Sequence, residues 1–293
     1  VTTHFLTTLI FALGADGEVI PGVGPGGELR QAASGLVFTE GPVAGPDGSL
    51  YFSDPPRQMI YQLLADGTRQ TILQRSRLCN GLAVNEKGKI IACQGGLGKI
   101  VSIDPTTAEL SVIAETYQGT RFNQPNDLVL DSAGGLYFTD PVYGLPNMPQ
   151  KTMGLYYVDS KGNAKRLAEG LDLPNGIGLS PDGKTLYVVT MGAREVMAFS
   201  IGSPGKVSNG RTFCTTETGG DGMTVDGKGN VYVTQPDLSA IDVFDSTGEK
   251  LGRLKLPGKP ANCAFGGKDG KTLFVTARKV ILAIPMQVAG IGW

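Results

Sequence analysis

One phrase of polar and apolar positions recurs along the chain. A short polar head leads into an apolar run, then a Gly-centred turn, then a β-branched or aromatic run. The copies are EGPVAGPDGSLYFSD, NGLAVNEKGKIIACQ, NDLVLDSAGGLYFTD, NGIGLSPDGKTLYVVT, DGMTVDGKGNVYVTQ and NCAFGGKDGKTLFVTA. Their heads are Glu40, Asn80, Asn126, Asn175, Asp221 and Asn262, spaced by 40, 46, 49, 46 and 41 residues. That period is in the range of one four-stranded propeller blade.

Runs such as Leu50-Tyr51-Phe52 and Leu186 to Val189 are strand-like, and turns such as Asp47-Gly48 and Asp182-Gly183 join them as hairpins. Third strands follow at Met59–Leu63, Ile100–Ile103, Gly154–Val158, Val196–Phe199 and Ile241–Phe244, and outer strands at Gln70–Leu73, Leu110–Ile113 and Lys165–Ala168. The expectation is an all-β, six-bladed β-propeller with four-stranded antiparallel blades. It occupies residues 28–293 as a single domain behind an N-terminal tail, 1–27. The sixth blade lacks an outer strand of its own after Val280–Ile284. The orphan strand-like segment Glu28–Ala32 is expected to supply it, closing the ring and removing open sheet edges.

Composition narrows the function. The 293 residues include 43 Gly and 41% hydrophobic residues, with a formal charge of −1, which suits a turn-rich globular β protein and argues against disorder. Near-zero charge without a basic run gives no case for nucleic acid or an anionic membrane surface. No stretch has the roughly 18 apolar residues of a membrane-spanning helix. Phe5–Leu13 is apolar but short, with no preceding Lys or Arg, so it reads equally as a signal-peptide core or a terminal strand. Compartment therefore stays open. Cys79, Cys93, Cys214 and Cys263 are far apart and read as buried thiols, with a single bridge as the alternative. The one histidine, His4, lies in the tail, so neither an imidazole-driven nucleophile nor a multi-His zinc site is expected.

In a propeller the first strand of each blade lines the central channel, so the six heads should ring one mouth of it. Every head offers a side-chain oxygen. Two carboxylates offset a dication's charge, and amides add ligands without further repulsion, which is the donor chemistry of a hard cation. Left alone, the two carboxylates would repel each other on a desolvated axis. Asn80 and Asn262 are the weaker members, either structural or facing substrate. The competing reading of Asn80-Gly81, Asn175-Gly176 and Asp221-Gly222 is that they merely shape the turn into each strand.

Phe38-Thr39-Glu40-Gly41-Pro42, Pro125-Asn126-Asp127, Pro174-Asn175-Gly176 and Gly220-Asp221-Gly222-Met223 resemble the gluconolactonase / senescence-marker-protein / luciferin-regenerating-enzyme family over about residues 36–284. The resemblance implies that Glu40, Asn126, Asn175 and Asp221 hold a divalent metal, with Ca²⁺ expected and Zn²⁺, Mn²⁺ or Mg²⁺ as alternatives. It also implies that Asp221 is the general base and that Arg121 contacts substrate. Phe138-Thr139-Asp140-Pro141 with Tyr143-Gly144 fits the bacterial branch. Asp127, Asn80, Asn262 and Tyr143 complete the expected substrate contacts, and the long stretch Pro141–Met153 is either a specificity lid or packing on the blade. The implied activity is metal-dependent opening of a sugar lactone. The alternatives are phosphotriester hydrolysis of the diisopropylfluorophosphatase type, since a phosphoryl oxygen makes similar demands on the ion, and a non-catalytic propeller platform.

Overall fold

The computed structural model describes residues 10–11, 19–144 and 148–292. Most of the apolar run Phe5–Leu13, and His4, lie outside the described residues, as do Leu145 to Asn147 in the long stretch of the third blade. Six antiparallel sheets form six blades; the first five run from an innermost strand outward in chain order, and the sixth does so for its first three strands. The innermost strands are Glu40–Ala44, Cys79–Val84, Leu128–Leu130, Pro174–Leu179, Met223–Val225 and Asn262–Gly266. Among the described residues the helical segments are two short 3₁₀ turns, Pro55–Arg57 and Pro236–Leu238.

The second strand of a blade carries almost unbroken apolar runs because neighbouring blades cover both of its faces. Leu50–Asp54, Ile90–Gln94, Leu136–Asp140 and Val231–Gln235 are buried along their whole length. The outer strand Arg69–Gln74 is mostly exposed and correspondingly polar. The core is accordingly divided among the blade junctions. Tyr51 and Ile60 of the first blade pack with Leu82, Ile90 and Val101 of the second, and equivalent clusters fill the other five junctions. Burying each large apolar side chain there contributes about 1.5 to 3 kcal/mol. All four cysteines are buried and free.

Leu29–Ala33 is the outer strand of the last blade, paired antiparallel with Val280–Pro285, so the start of the chain closes the ring as the sequence suggests. Ile10–Phe11 adds a further strand outside it. Just upstream of Leu29–Ala33, Ile20 and Val23 are buried in the junction between the fifth and sixth blades.

In the first, third and fifth blades a side chain at the end of the second strand helps to set the position of the next head. The Ser or Thr hydroxyl reaches the neighbouring blade: Ser53 Oγ donates to the Asn80 carbonyl at 2.8 Å, Thr139 Oγ1 to that of Asn175 at 2.7 Å, and Thr234 Oγ1 to that of Ala261 at 2.8 Å. In the first and third blades the last residue of the strand, an Asp, then pins the loop entering the innermost strand of its own blade. Asp54 accepts the N–H groups of Val37 and Phe38, and Asp140 accepts those of Asn123 and Gln124.

Candidate metal centre and mouth

The glycine that follows four of the heads, Gly41, Gly81, Gly176 and Gly222, has a purpose the sequence does not reveal. Gly81 N–H donates to the Asn126 carbonyl at 2.8 Å, Gly176 N–H to that of Asp221 at 3.0 Å, and Gly222 N–H to that of Ala261 at 2.8 Å. Here one blade's backbone lies directly against the next. A Cβ on Gly176 would sit 2.7 Å from the Met223 nitrogen and 2.8 Å from the Asp221 oxygen, and one on Gly41 would collide with the Asn80 carbonyl. The Asn-Gly and Asp-Gly pairs are therefore contact points between blades as well as strand starts, and this close approach draws the heads together.

Glu40, Asn126, Asn175 and Asn262 are buried, while Asn80 and Asp221 are half-buried. The amides form a relay around one side of the mouth. Asn80 Nδ2 donates to Asn126 Oδ1 at 2.6 Å, Asn126 Nδ2 to Asn175 Oδ1 at 2.7 Å, and Asn175 Nδ2 to the Tyr143 hydroxyl at 2.8 Å. Tyr143 is part-exposed at the ring, but its hydroxyl reaches inward to this relay. Its pKa is pushed well up by burial and then by Asp221 and Glu40, so the hydroxyl keeps its proton and can donate into the mouth.

Glu40 and Asp221 occupy the other side. Burial, followed by the charges of Asp221 and Asp127, pushes the Glu40 carboxyl well above its usual range. Burial likewise raises Asp221 to about 7, with Asn175 and Arg278 opposing the shift. Asn262 departs from the expected ring. Its amide donates across the axis to Asp127 Oδ2 at 3.1 Å, joining the sixth blade to the third, and its own Oδ1 accepts the Cys263 N–H. Asp127, raised to about 6 by burial, also accepts the Leu128 N–H. This Asp127–Asn262 bridge is a floor under the mouth. Below it, a cavity of about 1090 Å³ runs toward the opposite face between apolar side chains such as Leu82, Ile177 and Met223.

The donor chemistry fits a hard divalent cation. Glu40 and Asp221 are oxygen donors whose mutual repulsion a cation would relieve. The oxygens of Asn126 and Asn175 each accept one hydrogen bond and retain a second lone pair. Among the described residues no three His, Cys, Asp or Glu side chains converge as a metal set, so a cation here depends on amide oxygens, as Ca²⁺ commonly does.

Arg121 is not joined to the ring. It is exposed, and its guanidinium donates to the carbonyls of Phe122 at 3.1 Å and Asn123 at 3.0 Å. The long stretch of the third blade is fastened at its far end by Gln150, whose amide donates to the carbonyls of Thr120 and Arg121. Arg278 was not singled out by the sequence. It lies in the turn between Thr272–Ala277 and Val280–Pro285, carries no motif, and reaches the mouth only because the last blade returns beside the first.

A profile of the SMP-30/Gluconolactonase/LRE-like region matches residues 38–279. A gluconolactonase of Zymomonas mobilis is 32% identical over 296 residues, spanning 89% of this chain and 82% of its own. Pentonolactonase XacC of Haloferax volcanii is 29% identical over 247 residues, spanning 81% of this chain and 80% of its own. Among solved structures, the gluconolactonase of Xanthomonas campestris superposes with a TM-score of 0.83 at 29% identity, covering 88% of this chain and 89% of that one.

Proposed function

The chain belongs to the SMP-30/gluconolactonase/LRE-like family, and from that premise we propose that it is a hydrolase that opens a sugar lactone with the help of a divalent cation. The observation that carries the reading is the mouth itself: the buried Glu40 and half-buried Asp221 carboxylates facing an amide relay, with no imidazole among the described residues. Glu40, Asn126, Asn175 and Asp221 would hold the cation, Ca²⁺ first among the candidates. When bound, such an ion supplies Lewis-acid polarisation of an acyl oxygen and offsets the carboxylate charge.

The chain's own groups supply the rest. Asp221, with a pKa near neutrality, takes the proton of the attacking water as its oxygen bonds to the lactone carbonyl carbon. The ring C–O bond then breaks, and the same proton returns to the departing ring oxygen, leaving a hydroxy acid. Tyr143 donates to a substrate hydroxyl at the mouth, and Asn80 holds the relay that orients Asn126 and Asn175. Asp127 and Asn262 act from beneath, fixing the depth to which a sugar ring enters. Arg121 uses two of its five N–H donors on backbone and keeps the others for substrate.

The test is hydrolysis of glucono-δ-lactone by chelator-stripped protein, with Ca²⁺, Zn²⁺, Mn²⁺ and Mg²⁺ added back separately and a phosphotriester assayed in parallel. Turnover of the lactone that vanishes with chelation and returns with a cation is the expected result. Turnover of the phosphotriester alone, or of neither substrate by folded, cation-bound protein, would overturn the reading.

A further inference from the structure

The arginines are distributed unevenly between the two faces of the propeller. Arg57, Arg75, Arg77, Arg121, Arg194 and Arg278 all lie on the mouth face, in the connections between the long blade strands, and all are exposed. The hairpin turns of the opposite face contain Lys but no Arg. With a formal charge of −1 overall, this positive rim is a local arrangement and not a consequence of a basic chain. Arg57 stands 3.8 Å from Asp54, and Arg121 is turned onto backbone carbonyls. Arg75, Arg77, Arg194 and Arg278 all have φ of 57°. A side chain in this left-handed region costs roughly 1 to 2 kcal/mol, which glycine would avoid. Strained residues of this kind cluster where a side chain is needed for function.

Arg278 is the best placed of the four. Its carbonyl accepts the Thr39 N–H at 2.8 Å and the Thr39 hydroxyl at 3.1 Å, immediately before Glu40. Its guanidinium carbon lies 4.4 Å from the centre of the Phe38 ring, a cation–π contact that holds the plane in place without consuming its N–H donors. Among the described residues the side chain has no ion-pair partner and no hydrogen bond to protein. Its charge is nonetheless felt at Glu40 and Asp221, both of whose carboxyls it draws downward.

Acid inside and arginine outside would orient a substrate. In the lactonase reading Glu40 and Asp221 are committed to the cation, and Asp127 lies beneath them with its carboxyl bonded to Asn262, so the interior offers no basic side chain to an anionic group and the uncharged lactone carbonyl is the end that enters. A negative group on the same molecule would remain at the rim, where a rigid fork of donors suits a carboxylate or a phosphate. We propose that the lactone opened by this protein carries an anionic substituent, a carboxylate or a phosphate, remote from its carbonyl, and that Arg278 receives that substituent at the rim. The inference rests on the lactonase reading and adds the substrate's charge to it.

The experiment compares kcat/KM for glucono-δ-lactone, a glucarolactone and a phosphorylated gluconolactone, at low and high ionic strength, in the wild-type protein, Arg278→Gly and Lys87→Gln. Glycine suits the left-handed turn, so Arg278→Gly is expected to fold with an unchanged or raised melting temperature. Lys87→Gln removes one positive charge from the opposite face. The wild type should favour at least one of the anionic lactones by about tenfold or more at low salt, with the lead shrinking as salt screens the rim. The preferred lactone identifies the substituent as carboxylate or phosphate. Arg278→Gly should cut the anionic-to-neutral ratio by about tenfold, whereas Lys87→Gln should leave it in place. Turnover of the neutral lactone with no anionic preference, or a preference that survives in Arg278→Gly, would overturn this inference and leave the lactonase reading intact. Failure of all three lactones would instead remove the lactonase reading on which it rests.

Discussion

Asp66 and Asp104 sit in hairpin turns on one face of the propeller, and Asp127 and Asp221 sit at the mouth on the other. In the turns each carboxylate serves its own backbone. Asp66 accepts the Thr68 N–H at 2.8 Å and Asp104 the Thr106 N–H at 2.9 Å, and these bonds hold both carboxyls below their usual range. At the mouth Asp127 adds to its adjacent Leu128 N–H a partner 135 positions away, Asn262, and burial lifts Asp127 to about 6 and Asp221 to about 7. The same residue type is an acceptor satisfied within its own turn at one end and a group poised near neutrality at the other. Enclosure by neighbouring blades makes the difference, and it places the chemistry where the chain's local rules stop applying.

Substituting one member of each region breaks the comparison most sharply. Asp221→Asn should lower kcat for lactone opening by about 10²- to 10⁴-fold, while Asp245→Asn, in a turn of the opposite face, should leave kcat unchanged. Calorimetric titration of Ca²⁺ into the Asp221 variant separates loss of the base from loss of a ligand. Full activity in Asp221→Asn with cation bound would end the base assignment.

A smaller effect is expected from the glycines. Gly176→Ala pushes a methyl group into the adjoining blade and should cost about 1 to 3 kcal/mol in urea denaturation, with lactone turnover falling alongside. Gly88→Ala, in an open turn at φ 71°, should cost only about 1 kcal/mol and leave turnover intact. Equal behaviour of the two variants would mean that the head glycines serve their own strands and not the junctions.

The smallest expected effect is on stability against pH. Because the folded pKa values of Asp127, Asp140 and Asp221 are raised above the ordinary aspartate value, the folded chain binds more protons than the unfolded chain between about pH 4 and pH 7. Stability of the cation-free protein should therefore fall as pH rises through that window. Scanning calorimetry should show a melting temperature lower at pH 8 than at pH 5 by on the order of a few degrees, with Ca²⁺ narrowing the gap at pH 8. Asp140→Asn, away from the ring, should make the slope shallower. A melting temperature that rises across the window would show the mouth carboxylates to be fully compensated.

Much of this molecule is legible in its sequence because the repeat is local. Alternating runs and Gly-centred turns specify each hairpin, and six heads in register specify a ring around the axis. The closing strand was legible as well, from the missing outer strand of the last blade. What the sequence could not show depends on contacts between blades. The Asn-Gly pairs look like turn formers until Gly81 and Gly176 are seen against their neighbours' backbones. Asn262 looks like a sixth ring member until its amide is found bonded to Asp127, 135 positions away. Arg278 has no motif, and only the closed ring carries it to Glu40.

Ring closure also fixes an order of events during synthesis. Glu40 leaves the ribosome early, while Asp221, Asn262, Arg278 and the strand that receives Leu29–Ala33 leave late. Until Val280–Pro285 has been translated, Leu29–Ala33 has no partner and the first and last heads cannot face each other. A growing chain can stack hairpins one upon another, but its ring of heads stays open and Arg278 is absent from the rim until its final blade is complete. A chain truncated before that blade would keep five of the six innermost strands and lack Asn262, Arg278 and the strand that receives Leu29–Ala33.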